Sequence, residues 1–155
     1  MADLSIGDPA PAFTLPRDGG DTVSLADLKG QNVVLYFYPK DDTPGCTKEA
    51  IAFTGQVQDF ADANTVIYGI SKDTVKKHEK FITKHDLGVG LLSDEDGSMC
   101  EDYGVWVEKS MYGKTYMGIE RATYLIDKDG KIAQIWRKVK VPGHSDAVLE
   151  AAKAL

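Results

Sequence analysis

The chain has 155 residues, 43% of them hydrophobic and 27% charged, a balance that suits one soluble globular domain with its own core. A formal net charge of −6 argues against a nucleic-acid or anionic-membrane partner, because both need a concentrated basic patch. No apolar stretch has transmembrane length, the first residues lack the basic-then-apolar order of a signal peptide, and two cysteines are too few for a disulfide scaffold, so a reducing, cytoplasmic setting is expected.

Residues 12–15 and 21–24 read as two short strands around a turn at 17–21. Residues 33–38, Val-Val-Leu-Tyr-Phe-Tyr, have the look of a central strand covered on both faces, and Pro39 ends it. A loop then leads into a helix over 44–61, where Cys46, Ala50, Phe53, Val57 and Phe60 follow the three-and-four spacing of one inward face. A strand is expected at 66–70 and a helix at 73–85 with Val75 and Ile82 inward, His78 being a further candidate for that face. Leu91-Leu92 reads as a brief strand and 97–103 as a short helix. Residues 122–126 and 132–136 flank Asp127-Lys-Asp-Gly-Lys131, a hairpin signal, and a last helix starts near Ser145 with Val148, Ala152 and Leu155 on one face. With no repeat or linker, one domain over 1–155 is expected. The order is that of an α/β, thioredoxin-like fold, a central mixed sheet flanked by helices, with an N-terminal β-hairpin extension.

The informative segment is Pro39-Lys-Asp-Asp-Thr-Pro-Gly-Cys46. A central strand ends and a helix begins a few residues later with a cysteine in its first turn. Thr43 is a natural N-cap, Pro44 fits the first helical position, and Gly45 puts no side chain in the way of the sulfur. Cys46 then lies beside unpaired backbone N–H groups at the positive end of the helix dipole, which favours the nucleophilic thiolate.

The segment 36–50, Tyr-Phe-Tyr-Pro-Lys-Asp-Asp-Thr-Pro-Gly-Cys-Thr-Lys-Glu-Ala, resembles the active-site signature of peroxiredoxins, Pro-x-x-x-Thr/Ser-x-x-Cys, and its surroundings resemble the Q subfamily, the bacterioferritin comigratory proteins. Gly7 to Phe13, Leu91 to Gly97, Tyr103 to Trp106, Met111 to Lys114 and Gly118 to Asp127 extend the match over almost the whole chain. The resemblance implies a thiol peroxidase that needs no metal, haem or flavin, with hydrogen peroxide and organic hydroperoxides as substrates. Cys46 would be the peroxidatic nucleophile and Pro39 a shield for the pocket. Thr43 would bond the incoming peroxide, Arg121 would stabilise the thiolate and orient the O–O bond, and Glu49 would orient Arg121. The backbone N–H groups of Gly45 and Cys46 would stabilise developing charge. The resemblance also suggests a monomer.

The second thiol departs from the pattern. Many Q-type members carry a cysteine five residues after the first, where this chain has Ile51, and others place it in the next helix, where residues 81–84 hold none. Cys100 is the one remaining candidate. The preferred expectation is a one-cysteine cycle in which thioredoxin, glutaredoxin or glutathione restores Cys46; a Cys46–Cys100 two-cysteine peroxidase and a non-catalytic redox sensor are the alternatives. A dithiol reductase would need a Cys-x-x-Cys pair, but Thr43 stands at its first position. A cysteine hydrolase would need a base from among His78, His85 and His144, none of them in a recognisable motif.

Overall fold

A computed structural model describes residues 4–155, so the start of the N-terminal segment, Met1 to Asp3, lies outside the described residues. The elements in chain order are β1 (Thr14–Pro16), β2 (Thr22–Ser24), a 3-10 turn (Leu25–Leu28), β3 (Asn32–Phe37), α1 (Pro44–Gly55), α2 (Val57–Asp62), β4 (Thr65–Ser71), α3 (Val75–His85), β5 (Gly90–Ser93), α4 (Ser98–Asp102), β6 (Trp106–Met111), β7 (Lys114–Ile119), β8 (Ala122–Ile126), β9 (Ile132–Trp136) and α5 (His144–Lys153). Among these residues no helix is long and apolar enough to cross a membrane.

The central sheet has the order β5-β4-β3-β8-β9. β3 runs parallel to β4, and β4 to β5, whereas β8 is antiparallel to β3 and β9 to β8. All six residues of β3 are buried, as its unbroken apolar run requires of a strand covered on both faces. Because side chains alternate, Val33, Leu35 and Phe37 enter one core with β1, β2 and α4, and Val34, Tyr36 and Tyr38 enter a second with α1, α2, α3 and α5. This is the expected thioredoxin-like arrangement with its N-terminal hairpin.

Gly69 on β4 is where the second core is tightest. An added Cβ there would stand 2.6 Å from Tyr36 Cζ and 2.8 Å from Leu91 Cδ2. Gly69→Ala is therefore expected to destabilise the chain by about 1–3 kcal/mol through overpacking, read from denaturant unfolding.

Three expectations are corrected. The helix predicted over 44–61 breaks at Gly55 and Gln56 into α1 and α2, and Val57 is exposed instead of joining Phe53 and Phe60 in the core. Leu155 lies beyond α5 and is 54% exposed, whereas Val148 and Ala152 are buried as expected. An antiparallel hairpin, β6 with β7, stands between α4 and β8 where no strands were predicted. On α3 the fully enclosed positions are His78 and Phe81; Val75 and Ile82 are only half-buried.

Candidate active site

The antiparallel register of β3 and β8 pairs Phe37 with Ala122, so the last residues of β3 lie beside the first of β8. The turn that follows β3 leads into α1, whose first turn carries Cys46, and the residue that precedes β8 is Arg121. Sheet pairing alone thus brings together two residues 75 positions apart. Arg121 Nη2 donates to Cys46 Sγ at 3.2 Å, and Nη1 donates to Glu49 Oε1 at 2.7 Å. Glu49 sits one turn after Cys46 on the same face of α1, which lets one guanidinium fork hold both. Gly45 packs against that fork, since a Cβ there would stand 3.3 Å from Arg121 Nη2.

Cys46 is 2% exposed and Glu49 equally buried. Burial raises Glu49 to about 7 against the pull of Arg121, and its second oxygen, Oε2, is enclosed without a hydrogen-bond partner. Burial draws the Arg121 guanidinium down, but the charges of Glu49 and Cys46 more than offset it and hold it firmly protonated.

Thr43 occupies the N-cap position with extended backbone, but its side chain does not cap α1. Its hydroxyl instead donates to the Lys40 carbonyl at 2.9 Å, while its own carbonyl accepts from Thr47 N–H. The first-turn N–H groups of Gly45 and Cys46 are therefore left without a side-chain acceptor, at the positive end of the helix. Pro39 is exposed at the end of β3.

Cys100 is placed elsewhere. It lies on α4 in the first core, on the opposite face of the sheet from Cys46. It is fully buried, and burial, then the neighbouring Asp94, pushes its thiol well above the usual range. The Asp94 carboxylate accepts from the N–H groups of Met99 and Cys100 at 3.2 and 2.8 Å, so it caps that helix. The three histidines bond away from Cys46: His85 to Asp42, His144 to Thr123, and His78 to Asp41 and the Leu92 carbonyl. Met111 and Tyr116 are exposed on the β6–β7 hairpin, and Trp106 lies under the Lys72 ammonium at 4.2 Å.

Two features escaped the sequence. Lys109 on β6 stands close enough to the site that burial, and then Arg121, lower its ammonium from the ordinary value while Cys46 raises it. Asp41 anchors the turn before Cys46 through side-chain contacts with Tyr38 and His78. Lys109 belongs to a hairpin the pattern did not reveal, and the Asp41–His78 pair spans 37 positions with no local signal.

Comparison with known proteins places this geometry. The model of the AhpC/TSA family matches residues 6–135. The chain is 55% identical over 141 residues to a putative peroxiredoxin bcp of Coxiella burnetii, covering 91% of this chain and 93% of that one. It is 49% identical over 150 residues to peroxiredoxin Bcp of Bacillus subtilis, covering 97% and 96%. Among solved structures it superposes on a cysteine-to-serine variant of Xylella fastidiosa PrxQ with a TM-score of 0.94 at 39% identity, covering 99% and 98% of the two chains. A Xanthomonas campestris bacterioferritin comigratory protein, studied for alkyl peroxide reduction, gives a TM-score of 0.88 at 45% identity, covering 92% and 90%. A buried cysteine held by an arginine at a strand-to-helix turn, on this fold and with these relatives, shows that the chain belongs to the AhpC/TSA family, among the peroxiredoxins of the Bcp or Q type.

Proposed function

We propose that this peroxiredoxin reduces hydrogen peroxide and organic hydroperoxides with Cys46 as its nucleophile, serving antioxidant defence and redox homeostasis. The observation that carries the reading is the Arg121 fork, with one nitrogen 3.2 Å from Cys46 Sγ and the other 2.7 Å from Glu49. The thiolate attacks the terminal peroxide oxygen in line. An S–O bond forms as the O–O bond breaks, the sulfur becomes a sulfenic acid, and the departing oxygen takes up a proton and leaves as water or alcohol. Arg121 stabilises the thiolate and the charge spreading onto oxygen, and Glu49 keeps the fork aimed. The Thr43 hydroxyl and the free N–H groups of Gly45 and Cys46 bind the peroxide oxygens, while Pro39 shields the approach. The alkyl peroxide reduction described for the Xanthomonas relative supports organic substrates beside hydrogen peroxide.

Regeneration follows a one-cysteine cycle. An external thiol from thioredoxin, glutaredoxin or glutathione attacks the sulfenic sulfur and expels water, and a second thiol releases Cys46 from the mixed disulfide. The placement of Cys100 across the sheet, buried and held as a thiol, supports this over a Cys46–Cys100 disulfide. The enzyme acts as a cytoplasmic monomer of one domain over 1–155.

Peptide mass mapping after one equivalent of peroxide tests the cycle. A single added oxygen on the Cys46 peptide, trapped by a sulfenic-acid reagent, is expected, and Cys100→Ser is expected to turn over like the wild type. A Cys46–Cys100 disulfide as the main product would replace the one-cysteine cycle with the two-cysteine one. Stoichiometric oxidation without turnover under any of the three reductants would make the chain a redox sensor instead.

A further inference from the structure

The turn that leads into α1 is joined to α3 by a side-chain pair, Asp41 with His78, for which the proposed chemistry assigns no task. His78 is fully enclosed on α3, with Nδ1 2.6 Å from Asp41 Oδ2 and Nε2 2.9 Å from the Leu92 carbonyl. A carboxylate and a carbonyl only accept hydrogen bonds, so opposite an Asp41 carboxylate the ring satisfies both by donating from both nitrogens, as an imidazolium. On the other side of the pair, Asp41 Oδ1 also accepts from the Tyr38 hydroxyl at 2.5 Å. The Asp41 N–H donates to Asp73 Oδ2 at 2.8 Å, and Asp73 in turn accepts from the Ser71 hydroxyl. Asp41 therefore ties the turn to α3 through its carboxylate and to the β4–α3 connection through its N–H, and His78 carries the link on to β5. Two residues later comes Thr43, whose carbonyl opens α1 and whose hydroxyl is held by Lys40 within the same turn.

We infer that His78 is a positioning residue: paired with Asp41 as an imidazolium, it holds the turn at 38–43, and through it Thr43 and Cys46, in the geometry that reacts with peroxide. The inference rests on the peroxidase reading above. The groups facing the ring are the Asp41 and Asp73 carboxylates, the Tyr38 hydroxyl and the Leu92 carbonyl; Lys77 and Lys80 on its own helix are exposed. Burial draws the imidazolium down, but Asp41 and the Leu92 carbonyl lift it above its ordinary value overall. The imidazolium is thus kept up to a higher pH than an ordinary histidine keeps its own, and it is lost as pH rises through that raised value.

The test has two arms. Nitrogen-15 NMR of the histidine-labelled protein at neutral pH is expected to show both ring nitrogens of His78 protonated, and a neutral ring would overturn the inference. Stopped-flow oxidation of Cys46 is expected to slow about tenfold or more in His78→Gln, as small displacements near reacting atoms do, without slowing reduction of the preformed sulfenic acid by thiol. The double variant Asp41→Ala/His78→Leu buries no unpaired charge, so it separates positioning from simple desolvation. It is expected to stay as slow as His78→Gln and to lack the alkaline decline in oxidation rate that is expected of the wild type. Return of the double variant to wild-type speed, or an unslowed His78→Gln, would overturn the role of His78 alone. A wild-type chain that fails to consume peroxide would overturn the peroxidase reading itself.

Discussion

Cys46→Ser is expected to consume no peroxide above the uncatalysed background, a fall on the order of 10⁴-fold or more, as when other enzymes lose a covalent nucleophile. A serine hydroxyl is not ionised near neutral pH, and the Arg121 fork cannot make it so. The fold should survive: the side chain is nearly the same size, Arg121 keeps Glu49 as its partner, and the hydroxyl can accept the bond that the sulfur accepted. Cys100 offers no substitute, because it is enclosed on the far face of the sheet and burial keeps it a thiol. Peroxide consumption with a recycling thiol, alongside a thermal melt, reads both halves. Turnover above background by a folded variant would move the nucleophile to another residue.

Arg121→Met is expected to slow Cys46 oxidation by about 10²–10³, the effect of removing a donor aimed at developing charge. It is also expected to cost about 1–3 kcal/mol of stability at neutral pH, because the buried Glu49 loses its hydrogen-bond partner and must take up a proton. The pH dependence has a definite sign. Glu49 already lies at about 7, raised by burial and restrained by Arg121; without the arginine it rises further. A carboxyl raised in the folded state favours folding most in acid, below its unfolded value, and that favour is lost as pH rises through the folded value. The variant should therefore regain stability on acidification below pH 7. Arg121→Met/Glu49→Gln should recover the stability at neutral pH without the rate. A double variant that recovered the rate as well would show that Arg121 acts only by neutralising Glu49.

The central features of this site were legible because they are local. The apolar run of β3, the Thr-Pro-Gly-Cys junction and the helical spacing of Ala50 and Phe53 lie within about twenty residues and obey strand and helix periods. The break at Gly55 was not legible, because Phe60 keeps the apolar period of α1 running past it. The β6–β7 hairpin was missed because both strands are largely exposed, so no alternation marks them. Its turn, moreover, is Tyr112-Gly113 with positive φ at both residues, where an Asn-Gly or Asp-Gly signal was absent. The hydroxyl of Thr43 misled differently: the residue has the right type and backbone for a cap, but the Lys40 carbonyl in the preceding turn takes the side chain. The Asp41–His78 pair follows from tertiary packing alone.

The five-stranded sheet, finally, sets a kinetic rule for the oxidised enzyme. With the two cysteines on opposite faces, the proposed one-cysteine cycle makes the fate of the Cys46 sulfenic acid a race between an outside thiol and a second peroxide molecule. The thiol restores the enzyme, whereas the peroxide carries the sulfur on to the sulfinic state. The fraction of turnovers that end in inactivation then scales with the ratio of peroxide to reductant. The wall of β3 thus makes the working life of each molecule a readout of the thiol supply around it.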